Sequence, residues 1–129
     1  MSITSNIDPS RQLSTFIATG KISSYEIIET MESFYNKQPI ENVLWDFRYA
    51  DPKALIFSDE LENVTTSFFK SNWKLKKAGK TAIVAPNDLW FSVARMYTKF
   101  AEIKNLAHII QIFRFMDEAI KWLAQRTKQ

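Results

Sequence analysis

Cysteine is absent from the 129 residues. Disulfides and thiolate metal sites are thereby excluded, and a reducing compartment suits the chain. Glycine occurs only twice and proline four times. A glycine-rich phosphate loop cannot be assembled, because such loops need glycine where the backbone approaches phosphate. Histidine occurs once, as His108, which leaves neither a histidine triad for zinc nor a Cys–His pair. It precedes the last apolar run, at the amino side of a strand, so a turn or capping role is expected for it. No metal or other cofactor is expected. Apolar runs all fall short of the roughly 20 residues that span a bilayer. The first residues, Met1 to Asn6, lack the basic start and apolar core of a signal peptide. These features predict a cytoplasmic protein that does not insert into a membrane.

Charge of one sign is also scarce. The net charge of +3 is a slight excess, whereas nucleic-acid binding needs a stripe that neutralises several phosphates at once. The densest cluster is Lys70, Lys74, Lys76, Lys77 and Lys80, with Trp73 among them. It reads either as a surface for an anionic partner or, the favoured reading, as the end of a helix whose first turn carries Asp59, Glu60 and Glu62, an order that complements the helix dipole. No nucleic-acid partner is expected. What the chain does have is a globular composition, 46% apolar and 24% charged. That suits one domain over residues 1–129 with a core of its own.

Segments around Ile3–Ile7 and Gln12–Thr19 flank the turn pair Asp8-Pro9 and predict a hairpin, with Gly20 at its end. Ser23 or Ser24 caps a helix whose apolar face holds Tyr25, Ile28, Met31 and Tyr35, with Ile27 and Phe34, and Pro39 stops it. Val43–Tyr49 alternates as a strand, with Val43, Trp45, Phe47 and Tyr49 on one face and Leu44, Asp46 and Arg48 on the other. Ser58 precedes a second helix that runs to about Lys77, and Gly79 closes it. Thr81–Ala85 is almost wholly apolar, as in a central strand covered on both faces. Asn87 or Asp88 caps a third helix with Leu89, Val93, Met96, Tyr97, Phe100 and Ile103 toward the core. Ile109–Phe113 is the last strand, and Asp117–Gln125 a last helix burying Ile120 and Leu123. The order β-β-α-β-α-β-α-β-α predicts an α/β fold, a mixed and mostly parallel five-stranded sheet with about four helices.

Several pieces in this order resemble the SpoIIAA-like family, small relatives of the STAS domain of anti-sigma factor antagonists. They are Asp8-Pro9 before a strand ending Gly20-Lys21-Ile22-Ser23, Leu44-Trp45-Asp46-Phe47-Arg48, Ala82-Ile83-Val84 leading to Ala94-Arg95-Met96, and Ile112-Phe113-Arg114 running into Glu118-Ala119-Ile120-Lys121-Trp122-Leu123. The resemblance covers nearly the whole chain. It implies a STAS-like single domain, distantly related to CRAL-TRIO lipid-binding domains, and no settled activity. The antagonists carry a phosphorylated serine in an Asp-Ser-Ser-Gly turn at a helix start. Ser58 matches that place and is the candidate phosphorylation site, but the second serine and the glycine are missing. Asp59 and Glu60 beside it would repel an added phosphate.

Open parallel sheets bind ligands beyond the carboxyl ends of their strands. That edge is expected to gather Arg48 and Asp51, Asn87 and Asp88, and Arg114 and Asp117, with Ser58 nearby. They read either as helix caps and arginine–carboxylate pairs or as a seat for a small anion. Asp46, inside a strand, needs a partner; Arg95 is the candidate for a structural ion pair, with Arg48 as the other choice. The apolar run Leu55, Ile56 and Phe57, with Trp90 and Phe91, either plugs the core or lines a ligand or partner surface together with Ser58 and Asn87. No nucleophile–base pair is evident, so a non-enzymatic module is expected, binding a regulatory protein or else carrying a small apolar ligand under Trp90 and Phe91. With 14% aromatic residues and Trp90 off the Leu89–Val93–Met96–Phe100 stripe, a homodimer through Trp90, Phe91 or the Leu55–Phe57 segment is also expected.

Overall fold

Strand β1 (Ile3–Asp8) and strand β2 (Leu13–Lys21) form the expected antiparallel hairpin, registered from Ile3↔Ala18 to Asp8↔Leu13. Asp8 holds the turn: its Oδ1 accepts from the Ser10 hydroxyl at 2.6 Å and from the Ser10 N–H at 3.1 Å. The Ser10 hydroxyl keeps the Asp8 carboxyl below the usual carboxylate range. Gly20 does not end β2 but sits within it at φ 70°, a conformation that glycine adopts without a side-chain clash.

The computed structural model describes residues 2–35, 41–51, 79–103 and 108–125. Helix α1 spans Ser24–Tyr35 and opens with a reciprocal capping box. The Glu26 N–H donates to Ser23 Oγ at 3.2 Å, and the Ser23 N–H donates to Glu26 Oε2 at 3.1 Å. Strands β3 (Asn42–Asp51), β4 (Gly79–Val84) and β5 (His108–Phe113) follow, with helix α2 (Asp88–Ile103) between β4 and β5 and helix α3 (Met116–Ala124) last. The strand order is β1-β2-β3-β4-β5, with β2 to β5 all parallel. This is an α/β fold with a five-stranded mixed sheet and three helices among the described residues. The expected helix from Ser58 to Lys77 lies outside them, as do Leu55, Ile56, Phe57 and Ser58 and the side chains of Tyr25, Tyr35, Tyr97, Phe100 and Ile103.

Right-handed crossovers that each step to the next strand place their helices on one face. Accordingly α1 and α2 share one core cluster with the sheet, built from Phe16, Val43, Trp45, Phe47, Ile83 and Trp90. Its centre is a row of ring contacts, edge-on between Phe34 and Phe16 and stacked from Phe16 onward. Phe34 meets Phe16 at 5.3 Å, Phe16 meets Trp45 at 4.7 Å, Trp45 meets Phe47 at 5.8 Å, and Phe47 meets Trp90 at 4.3 Å. The row joins α1 to α2 across the sheet, and offset ring pairs add to the burial itself. On the opposite face α3 packs Ala119 and Leu123 against Leu44, Ala82, Val84 and Phe113. Ile120, expected in that core, is 38% exposed, because the residues of α3 that face the sheet are Ala119 and Leu123. No helix among the described residues is long and apolar enough to cross a membrane.

Lys80 corrects the reading of the lysine cluster. It belongs to β4 and is 5% exposed. Its ammonium donates to the carbonyls of Trp122, at 2.8 Å, and Gln125, and lies 5.2 Å from the Trp122 ring centre. A buried cation at the end of α3 thus gives the Trp122 carbonyl, which also accepts the Gln125 N–H at 3.2 Å, a second donor, and it satisfies the Gln125 carbonyl just past the helix. Lys80→Met should lower the local stability of the last turn of α3 by about 1.5 kcal/mol, since charge-assisted hydrogen bonds are lost. Hydrogen exchange would show faster opening there with β4 protection kept, and unchanged exchange in α3 would refute the cap.

Candidate functional site

The carboxyl ends of β3, β4 and β5 come together as expected, and β3 is irregular there. Ile17 pairs with Asp46 and Thr19 with Tyr49, so β3 carries one residue more than β2 over this interval. Such a bulge moves every later side chain to the opposite face. Ala50 therefore joins Trp45 and Phe47 in the core, while Tyr49, expected beside them, is 60% exposed.

The bulge also decides the partner of Asp46. Its carboxylate, 1% exposed, accepts from the Arg48 N–H at 3.0 Å and from Arg48 Nε and Nη2 at 3.0 and 2.9 Å. The expected pairing of Asp46 with Arg95 is corrected: Arg95 is exposed on α2, and Arg48, two residues along the same strand, folds back over the carboxylate. The carboxylate holds the Arg48 guanidinium above its usual pKa, against the opposing effect of burial. The same guanidinium lies 5.0 Å from the ring centre of Tyr49.

At the next strand end Asn87 caps α2, its Oδ1 accepting the Trp90 N–H at 2.8 Å. Trp90 is fully buried, not a surface residue. The β3–β4 ladder stops at Asp46↔Val84 while β3 runs on to Asp51. Beyond that point the Trp90 indole N–H donates to the Ala50 carbonyl at 3.0 Å, and its ring stacks on Phe47. Trp90 is thereby removed from the expected dimer or ligand surface. Leu89 takes the outer position instead, 43% exposed, although its stripe was expected to face the core.

Arg114 ties the two outer turns together. Its Nη1 donates to the Pro86 carbonyl at 3.1 Å and to Asp88 Oδ1 at 2.8 Å, and its guanidinium carbon stands 4.2 Å from the Phe91 ring centre. This matches the reading of the edge as caps and arginine–carboxylate pairs. Phe91 is partly buried against the core, while Phe115, next to Arg114, is 63% exposed. Tyr49, Leu89 and Phe115 therefore stand exposed around the arginine-braced turns at one edge. The sequence pattern placed Tyr49 and Leu89 on core-facing stripes and gave Phe115 no role, although a large apolar residue between a strand and a helix is a signal of such a position.

His108 lies at the far, amino edge. It is a strand residue 7% exposed, with Nδ1 2.9 Å from the Thr81 hydroxyl, rather than a turn or cap. Asp46 pairs with the last residue of β4 and His108 with the first, so the two cannot act together. The described strands follow one another across the sheet without a reversal of order. The crevice that such reversals open for ligands is thus missing between them. Among the described residues no cluster of three or more His, Asp or Glu could hold a metal ion. Set beside known proteins, the chain matches no family model and no curated protein.

Proposed function

We propose that this protein is a non-enzymatic, STAS-like interaction module that meets a protein partner with the carboxyl edge of its sheet. The observation that carries the reading is the exposure of Tyr49, Leu89 and Phe115 at that edge, 60%, 43% and 63% respectively. Large apolar side chains gathered at one edge are a mark of a contact surface. The backbone beneath them is braced by Arg48–Asp46 and Arg114–Asp88, so the surface is presented with little ordering cost. A second copy of the chain is one such partner, with Tyr49, Leu89 and Phe115 in the place first given to Trp90.

The chemistry of the buried polar groups supports a non-catalytic role. Asp46 is wrapped by Arg48, and His108 is bonded to Thr81 at the other end of the sheet. The alternative of an apolar-ligand carrier places its ligand under Trp90 and Phe91. Trp90 itself is fully buried and stacks on Phe47, which favours the interaction module over the carrier.

Native mass spectrometry of protein purified from its own host tests the proposal. The native protein should retain a protein partner, and the triple variant Tyr49→Ser, Leu89→Ser, Phe115→Ser should lose it. Stability should change by less than about 1 kcal/mol, as for surface positions. A small apolar molecule bound to the native protein, or a partner kept by the triple variant, would overturn the reading.

A further inference from the structure

Among the described strands, β1 is the outer one on the side away from β5. The Thr19 N–H donates to the Ser2 carbonyl at 2.8 Å, which makes Ser2 and Thr19 a hydrogen-bonded antiparallel pair. Alternation along the Ile3↔Ala18 to Asp8↔Leu13 register then turns the backbone groups of Thr4, Asn6 and Asp8 toward β2. Those of Ile3, Ser5 and Ile7 face outward. Natural edges are commonly blunted by a bulge, a proline or an inward charge. From Ile3 to Ile7 the register is unbroken and the sequence has neither proline nor charge.

Beside this rim runs a groove of about 250 Å³ between β1 and α1. Ile3 and Phe34 contribute its apolar part, and Ser5, Glu29, Thr30 and Ser33 its polar walls. Helix α1 carries Glu26, Glu29 and Glu32 and no lysine or arginine, in a chain whose net charge is +3. A cleft between an edge strand and a helix is where proteins accept an added strand: main-chain hydrogen bonds supply affinity, and alternate side chains supply specificity. The acidic wall selects the sign of those side chains.

We propose that β1 and α1 accept an extended, lysine- or arginine-bearing segment of another protein, which adds as a strand outside β1. Its backbone pairs with the outward N–H and C=O groups of Ile3, Ser5 and Ile7. Its side chains on the α1 side alternate into the groove, where cationic groups meet Glu29. This surface is separate from the carboxyl edge and does not rest on the function proposed for that edge.

The test uses the full chain and a short capped peptide alternating lysine with threonine, followed by amide hydrogen exchange and titration at low and high salt. At saturation the amides of Ile3, Ser5 and Ile7 should gain at least about tenfold in protection, with little change at Thr4 and Asn6. Glu29→Lys should weaken binding about tenfold, and salt should weaken it in the native protein, as for a close charge pair. Ser5→Pro should abolish binding without loss of fold, because proline is tolerated where an edge N–H faces outward. The same peptide N-methylated at alternate residues should fail as well, a result independent of any change to the protein. Absence of binding, equal binding of a glutamate–threonine peptide, or binding indifferent to N-methylation would overturn the proposal. So would free protein of twice the 15.1 kDa chain mass with Ser5 already protected, since a second copy would then cover β1.

Discussion

Trp90→Ala is expected to destabilise the protein by about 4 kcal/mol, the cost typical of removing a large buried aromatic side chain. Trp90 is fully buried at the end of the ring row and stacks on Phe47 at 4.3 Å. Alanine would leave a cavity between α2 and the sheet and would strip the Ala50 carbonyl of its indole donor. For a domain of this size the melting temperature should fall by about 15 °C. Trp90→Phe separates the two contributions. It keeps a ring against Phe47 but loses the N–H, so a smaller loss of about 1–2 kcal/mol should remain. Chemical denaturation of both variants measures the difference. A Trp90→Ala protein of unchanged stability but altered sedimentation mass would return Trp90 to a surface role.

Gly79→Ala should cost about 3 kcal/mol, at the upper end for forcing atoms into a packed site. Gly79 opens β4, and the Lys80 N–H donates to the Glu41 carbonyl at 3.0 Å. A Cβ at residue 79 would fall within the van der Waals envelope of that same carbonyl and 3.0 Å from His108 Nε2. The obstacle is backbone, which cannot turn aside as a side-chain end can. The chain at Glu41 and the start of β4 must separate, and the His108 ring must shift as well. A melting temperature lower by about 10 °C is expected. Gly20 is a useful contrast, because an added Cβ there meets nothing within 4 Å and the strain comes from its φ of 70° alone. Gly79→Ala within about 0.5 kcal/mol of the native protein would show that the close approach is not constraining.

Features written in short stretches of chain were legible before the structure. Asp8-Pro9 marked the hairpin, because an aspartate can bond the backbone two residues on, and it does so at Ser10. Ser23 was one of two serines marked as the cap of α1, and it is the one that caps, with Glu26 bonding it in return. The apolar run Thr81–Ala85 marked a buried parallel strand, and Thr81, Ala82, Ile83, Val84 and Ala85 are all buried. The alternation of strands and helices was enough for the α/β class and for a mixed, mostly parallel sheet. Each of these rests on hydrogen bonds and side-chain periods that span only a few residues.

Partners distant in sequence were decided only by the tertiary structure. Periodicity put Tyr49 with Trp45 and Phe47, but the bulge exists only in the pairing of β3 with β2, and one extra residue reversed the side-chain order. With the strand bent there, Arg48 reaches Asp46, and the more distant Arg95 is not needed. The helical wheel chose Leu89 for the core because it counts apolar residues equally. The fold chose Trp90, whose indole alone can both stack on Phe47 and donate to a carbonyl 40 residues earlier in the chain. Lys80 looked like the end of a basic helix, yet it is buried because the last carbonyls of α3 arrive beside it from 42 and 45 residues later. A local pattern states which side chains prefer to be inside. Which of them find a ring, a carbonyl or a carboxylate there depends on contacts that the pattern does not encode.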